Sequence, residues 1–183
     1  MSVARREAVR RLALGGLGAA ALPAWAEALV ELAETQSASA PAGDWAPRFL
    51  DARQLQTVGV LAERIIPATD TPGALAAGVD RFIDGVLAAA PESQRREFLR
   101  GLGLTDDRSR QLFGAAFAQA TPDQQDALLT TLSSEQSDFF RVIKALTVSG
   151  YYGSRVGLQQ ELGDDGRMVF GEFPGCRHPE HLS

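Results

Sequence analysis

The chain has very little of the chemistry that enzymes and cofactor-binding proteins use. It contains one cysteine, so no disulfide can form within it, and it has no Cys-x-x-Cys-His site for attaching haem. Its two histidines, His178 and His181, both lie within the last six residues, and the helical segments before them have none. We therefore predict no catalytic residue, no cofactor site and no metal site in this chain.

One group of residues near the C-terminal end does consist of metal-ligand types. Cys176, His178, Glu180 and His181 could each coordinate a metal ion. Their spacing matches no structural zinc pattern, and Pro179 works against a fixed coordination geometry. We interpret this group as a solvated tail.

Strand patterns of useful length are also missing, so short motifs must be interpreted on helices and loops. The run Gly101-Leu102-Gly103 is not a phosphate loop, because no strand precedes it, and we expect a helix terminus there. Asp70, Asp80 and Asp84 could form a carboxylate pair for acid–base chemistry. We interpret them instead as a loop cap and a solvated helix face.

An excess of basic charge is absent as well. The whole chain carries a formal charge of −5, and its first 26 residues hold four arginines and one glutamate, so the remainder is near −8. An acidic surface argues against binding to nucleic acid or to anionic lipid headgroups. About 157 residues then remain, which suits a single domain.

Residues 1–26 do carry a clear pattern, that of an export signal. Arg5 and Arg6 stand in a basic head, an apolar run follows over residues 12–22, and Ala24 and Ala26 form a small-x-small cleavage site. The arginine pair resembles a twin-arginine signal, which is an address for proteins exported already folded. The alternatives are an ordinary amphipathic helix and an uncleaved anchor. The pattern predicts a periplasmic protein.

The rest of the chain divides into a linker at 27–48, a helical domain at 49–150 and a tail at 151–183. Apolar residues recur at helical spacing in the domain, which predicts an all-α, compact bundle of about six helices. Start signals are clear at Asp51, with Gln54 three residues later, and at Thr121-Pro122. We also expect Thr105 and Ser133 or Ser134 to cap helices, and Gly150 to end the last one.

The tail from residue 151 is rich in glycine, which predicts an irregular segment without a long helix. Its aromatic residues and its cysteine predict a partner interface at Tyr151, Tyr152, Phe170, Phe173 and Cys176. For the two tyrosines the alternative is a helix end anchored by aromatic packing. Cys176 is either a free thiol or the site of a disulfide to another chain.

Three runs resemble the gluconate 2-dehydrogenase subunit 3 family. They are the run from Leu61 to Ala74, the run from Ala77 to Asp84, and Leu146 to Tyr152 with the glycine-rich ending. The resemblance implies the small subunit of a membrane-associated sugar or sugar-acid dehydrogenase. It implies an FAD-bearing partner of the glucose–methanol–choline type, and in some complexes a multihaem cytochrome c. Membrane association would come only through the complex.

The resemblance and the export signal together predict a non-catalytic accessory subunit that escorts the flavoprotein through export. Two other classes stay open. An enzyme in its own right is disfavoured by the missing histidine and cysteine chemistry. A stand-alone periplasmic binding module would need an aromatic pocket, although we interpret the candidate lining as core: Phe82, Phe98, Phe113, Phe117 and Phe139.

Overall fold

The computed structural model describes residues 45–135 and 137–162, and this part of the chain is helical, with no strand. The predicted all-α fold is confirmed. A 3₁₀ turn, Phe117–Gln119, and a π-helical segment, Val156–Glu161, supplement the α-helices. In chain order the α-helices are α1 (Ala52–Ile65), α2 (Val79–Ala89), α3 (Glu92–Phe113), α4 (Pro122–Ser134) and α5 (Asp138–Tyr152).

Helix α1 begins as the sequence predicts, at a complete capping box. The Asp51 carboxylate accepts from the backbone N–H of Gln54 at 2.8 Å, and the Gln54 side chain accepts from the backbone N–H of Asp51 at 3.0 Å. Pro67 follows the helix end and cannot continue it. The side chains of Val58, Leu61 and Ala62 are fully buried, so α1 supplies much of the core.

Helix α3 differs most from the prediction, because it is one continuous helix of 22 residues where two were expected. Gly101 lies in its middle, not at a terminus, and Gly103 lies on its exposed side. Thr105 does not cap a new helix: its hydroxyl donates to the carbonyl of Gly101, the residue one turn earlier, at 2.9 Å. The helix ends at Gly114, whose φ of 74° is the left-handed conformation that glycine adopts at helix ends.

The predicted cap of α4 is confirmed, and the predicted cap of α5 is corrected. Thr121 caps α4 and shares a capping box with Gln124, as predicted. Ser137, not Ser133 or Ser134, caps α5, because α4 continues through both serines. Helix α5 also passes Gly150 and ends at Tyr152. Gly150 is small because Phe82 of α2 packs there, where an added Cβ would lie 2.6 Å from its ring.

The core lies between α1, α2 and α5, with α3, α4 and the 3₁₀ turn closing its other sides. Leu75, which precedes α2, and Leu112, which lies on the outer side of α3, are exposed. In the described residues no helix is long and apolar enough to cross a membrane. The largest fully buried side chains are Tyr151, Phe98, Phe117, Leu61, Ile83, Leu87, Leu128, Ile143 and Leu146.

The chain after residue 150 contains more helix than the glycine pattern suggests. Residues 151 and 152 complete α5, and Val156–Glu161 forms a π-helical turn directly afterwards. Single π-helical turns are rare and occur often at functional sites. Residues 151–152 and 155–161 are therefore helical where irregular chain was expected, Gly153 and Ser154 form a turn, and residues 163–183 lie outside the described part.

Candidate functional site

Asp84 is the most highly connected carboxylate of the described chain, and it is not solvated as predicted. Only 1 % of the residue is exposed. Its carboxylate accepts three backbone N–H groups, from Arg48 at 2.7 Å, from Phe49 at 3.1 Å and from Leu50 at 2.8 Å. Three consecutive donors on one carboxylate replace the water that a buried charge loses. Asp84 thus fixes the segment that enters the domain.

Two arginines hold the aromatic side chains of the same segment. The Arg81 guanidinium lies 5.1 Å from the ring centre of Trp45, and that of Arg95 lies 5.5 Å from the ring centre of Phe49. Both distances are within the range of a cation–π contact. The entering segment therefore runs beside α2 and crosses to the first turns of α3.

The loop between α1 and α2 is built around Glu63. One carboxylate oxygen accepts from the backbone N–H of Ala68 at 3.1 Å, and the other accepts from that of Leu75 at 2.8 Å. Gly73 lies so close that a Cβ there would overlap the carboxylate and would come within 2.6 Å of the backbone nitrogen of Ala68. The sequence motif from Leu61 to Ala74 is therefore the end of α1 followed by a loop, and Glu63 of the same motif holds that loop by hydrogen bonds.

Tyr151 secures this loop from the other side. Its hydroxyl donates to the carbonyl of Pro72 at 2.9 Å, and only 2 % of the residue is exposed. The prediction that Tyr151 faces a partner is corrected, because its side chain lies inside the domain. The alternative in which aromatics anchor the helix end holds for this residue. Tyr152 packs edge-on against it, with ring centres 5.2 Å apart, and remains 39 % exposed.

The segment after Tyr152 is joined to the end of α5 by hydrogen bonds of the Ser154 hydroxyl. The Ser154 hydroxyl donates to the carbonyl of Tyr151 at 2.6 Å and accepts from the backbone N–H of Gly157 at 3.0 Å. Gly157 is buried, and a Cβ there would overlap the carbonyl oxygen of Tyr151. Leu158 and Leu162 of this segment are 36 % and 61 % exposed.

A surface groove of about 370 Å³ lies at the opposite end of α5, between that helix and α3. Phe98 and Phe139 pack edge-on within it, with ring centres 5.3 Å apart, and Leu104 lies at its rim. The groove continues towards Arg108 and Glu135, which form a bidentate ion pair at 2.8 Å. Its rim thus combines apolar side chains with charges that are already paired.

The three candidate carboxylates are not brought together into an acid–base site. Asp70 is exposed in the loop after α1, where a hydrogen bond from the Thr69 hydroxyl holds its pKa below the usual value. Asp80 is half-buried in the first turn of α2, and Asp84 is engaged by backbone N–H groups. Among the described residues, no group of three or more His, Cys, Asp or Glu could hold a metal ion.

The phenylalanines proposed as a pocket lining belong to the core. Phe98 and Phe117 are buried in it, and Phe82, Phe113 and Phe139 pack against it. Only Phe98 and Phe139 also line the groove beside α3. The remaining predicted site residues lie outside the described residues: Arg5, Arg6, Ala24, Ala26, Phe170, Phe173 and Cys176. So do His178, Glu180 and His181, which we interpret as part of a solvated tail.

The chain matches a known family over most of its length. The model of the family described as gluconate 2-dehydrogenase subunit 3 matches residues 52–168, and the chain belongs to that family. The family name implies association with other subunits of a gluconate dehydrogenase. No curated protein and no solved structure matches the chain.

Proposed function

We propose that this member of the family is a non-catalytic small subunit of an FAD-dependent sugar or sugar-acid dehydrogenase complex, and that it escorts the flavoprotein subunit through twin-arginine export. The observation that carries the proposal is the family match over residues 52–168, on a chain that begins with an export-type pattern. The family match begins at residue 52, and the export-type pattern lies before it. In this proposal the pattern directs export and the matched residues bind the partner.

The described domain supports a binding role more than a catalytic one. The hydrogen bonds of Asp84 and Glu63 are made to the backbone of the same chain and hold segments in place. Catalytic groups need polar atoms that converge on a reachable space. In this proposal FAD is bound by the partner, which is of the glucose–methanol–choline type, and haem c by a third subunit where one is present.

The proposed location follows from the leader. A twin-arginine address sends folded proteins across the inner membrane, so the complex would work in the periplasm and reach the membrane through its other subunits. A subunit without its own signal can share this address when it binds the signal-bearing subunit before export. The escort role is therefore testable by following the partner.

The test changes the arginine pair while the charge is kept. We expect Arg5→Lys together with Arg6→Lys to leave both this chain and the FAD-bearing subunit in the cytoplasm, because the receptor distinguishes paired arginine from lysine. The matched control is Arg10→Lys with Arg11→Lys, which makes the same exchange five residues later in the same leader. We expect it to leave export unchanged.

The measurement is the flavin absorbance and the sugar-acid oxidation of periplasmic and cytoplasmic fractions. A flavoprotein that still reaches the periplasm when Arg5 and Arg6 are changed to lysine would exclude the escort role. Turnover by the purified small chain alone, without a flavoprotein, would exclude the accessory role. Purification of the complex from each strain keeps the two results separate.

A further inference from the structure

The segment that enters the domain takes its hydrogen bonds from a single carboxylate. Residues 45–50, which we name the strap, form no helix of their own. The backbone N–H groups of Arg48, Phe49 and Leu50 all donate to Asp84, which lies 34 to 36 residues further along the chain. In the described part of the chain, these are the only hydrogen bonds between the strap and the helices. Because the three bonds share one acceptor, we expect them to form and break together.

The side chains of the strap are held by two helices that come later in the chain. The Trp45 ring packs on Arg81 of α2, and the Phe49 ring packs on Arg95 of α3. Leu50 is 3 % exposed and belongs to the core. The two arginine contacts require α2 and α3 to be formed and packed together. The strap therefore closes fully only on a folded domain.

The helix that follows the strap starts without its help. Helix α1 begins at the capping box, in which the side chains of Asp51 and Gln54 each accept the backbone N–H of the other residue. Among the buried residues of the core, the strap supplies only Leu50. A segment with few buried contacts opens at a lower free energy than the whole domain. We therefore expect the strap to open while α1 and the remaining core stay folded.

The strap lies between the helical domain and the export-type pattern of residues 1–26. When the strap opens, Phe49 and Leu50 leave the domain, and their side chains enter water on the leader side of α1. Folded monomers rarely expose contiguous apolar surface, whereas incompletely folded chains do. An apparatus that exports folded proteins therefore meets a different surface beside the leader in the closed state and in the open state.

We propose that the strap is a folding checkpoint for export. Closed on Asp84, it presents the leader on a completed domain; open, it presents the leader beside exposed apolar chain, and export is refused. The proposal rests on the proposed function, because it needs the export address of residues 1–26. Asp84 is in this view a positioning residue, which acts on export through the strap and not through contact with the leader.

The experiment weakens the acceptor and keeps the leader. Asp84→Asn keeps the shape of the side chain but removes its charge and one acceptor oxygen, so the strap should open more often. We expect trypsin to release the fragment that begins at Phe49 at least about tenfold faster from the folded full chain, because cleavage follows the population of the open state. The periplasmic share of the chain should fall several-fold, with helical circular dichroism unchanged.

Asp80→Asn is the matched control, because it makes the same exchange one turn earlier on α2. We expect it to change cleavage and export less than about twofold, as is usual for substitutions away from such contacts. An equal fall in export with Asp80→Asn would assign the effect to the charge of α2 and overturn the proposal.

A second variant tests the strap from its own side. Trp45→Ser with Phe49→Ser removes both arginine contacts and leaves Asp84 in place, and we expect faster cleavage after Arg48 and reduced export. One folded variant with an open strap and reduced export supports the proposal. If both variants lose their helical circular dichroism, or if both fold and resist cleavage, the strap does not open separately and the proposal fails. If the strap opens in a folded variant and export is unchanged, the strap is no checkpoint.

Failure of the proposed function gives a different result. If the chain with Arg5→Lys and Arg6→Lys reaches the periplasm as before, the export role is wrong, and the checkpoint falls with it. If that change blocks export while the strap variants are exported like the unaltered chain, the export role stands and only the checkpoint is wrong.

Discussion

Polar side chains have different partners in two regions of the domain: the end that carries the loop between α1 and α2, which we call the loop end, and the outer face of α3. At the loop end, Asp84, Glu63 and Tyr151 each bind backbone groups of a segment outside the α-helices. On α3, arginines bind carboxylates in solvent, as in the pair of Arg108 with Glu135 and that of Arg110 with Asp107. The first kind of contact holds chain segments, whereas the second kind is made from the surface of a helix whose backbone is already hydrogen-bonded.

The difference follows from where backbone hydrogen bonds are made. A helix satisfies its own backbone N–H and C=O groups. A surface ion pair adds only about 0–1 kcal/mol to its stability, because water screens the two charges and ordering both side chains costs entropy. The entering segment at Arg48 to Leu50 has no such ladder, and its buried and partly buried N–H groups need side-chain acceptors. Removal of those acceptors should therefore cost far more than removal of a surface charge.

The largest effect is expected at Asp84. Asp84→Ala removes the acceptor of three backbone N–H groups and leaves those donors near the core. The N–H group of Leu50 is buried and the other two are partly buried. A buried donor left without a partner costs about 1–3 kcal/mol and a partly buried one costs less, so we expect a loss of roughly 2–4 kcal/mol in the free energy of unfolding. Urea unfolding followed by circular dichroism measures it.

Asp80, one turn earlier on α2, is the matched control. It is half-buried in the first helical turn, where a carboxylate gains about 0.3–1 kcal/mol from the helix dipole. Asp80→Ala should therefore cost less than about 1 kcal/mol. Equal losses at the two positions would show that the three backbone bonds to Asp84 contribute nothing particular to stability.

The sequence predicts the helical class and the best helix starts, but not this anchor. The capping signals at Asp51 and Thr121 are local, because a cap and its partner lie three residues apart. Asp84 binds donors 34 to 36 residues away along the chain. Asp80 and Asp84 share one helix face, and nothing in their spacing indicates which of them the entering segment covers.

The continuity of α3 could not be predicted for a related reason. Glycine is a poor helix former, and two glycines at 101 and 103 in one turn indicate a break. The packing of α5 overrides that preference, because the Phe139 ring occupies the place of a side chain at residue 101. The tyrosine pair was likewise ambiguous in sequence, and only the hydrogen bond to Pro72 separates buried Tyr151 from exposed Tyr152.

Gly101 and Gly103 allow a direct test, because substitution by alanine should lower stability at one position and raise it at the other. Gly101→Ala would place a Cβ 2.5 Å from the Phe139 ring, and overpacking of this kind typically costs about 1–3 kcal/mol. Gly103→Ala meets no atom within 4 Å and should stabilise α3 by about 0.5–1 kcal/mol, since alanine is the better helix former. Thermal unfolding of both variants checks the signs. Equal signs would contradict the packing of Phe139 on Gly101.

A smaller effect is expected at Tyr151. Tyr151→Phe keeps the buried ring and removes only the hydroxyl that donates to the carbonyl of Pro72. The loss should be about 1 kcal/mol, the usual net contribution of one hydrogen bond. Tyr152→Phe is the matched control, because its ring is exposed and adjacent. Hydrogen exchange should show faster exchange in the loop between α1 and α2 only for Tyr151→Phe, and no such difference would refute the role of the hydroxyl.

The smallest effect is expected at the ion pair between Arg108 of α3 and Glu135. The way in which its contribution to stability changes with pH shows whether the charge is responsible. The hydrogen bond from Arg108 holds the pKa of Glu135 below the usual value of 4.5. A carboxyl group whose pKa is lower in the folded chain stabilises the fold above its unfolded pKa, and that stabilisation is lost as the pH falls through the folded pKa. We expect Glu135→Gln to unfold at a slightly lower temperature than the unaltered chain near neutral pH. The difference should shrink as the pH falls below about 4.5 and also at high salt, because both groups are exposed. A difference that persists in acid and in salt would mean that Glu135 acts through packing between α3 and α4 instead of through its charge.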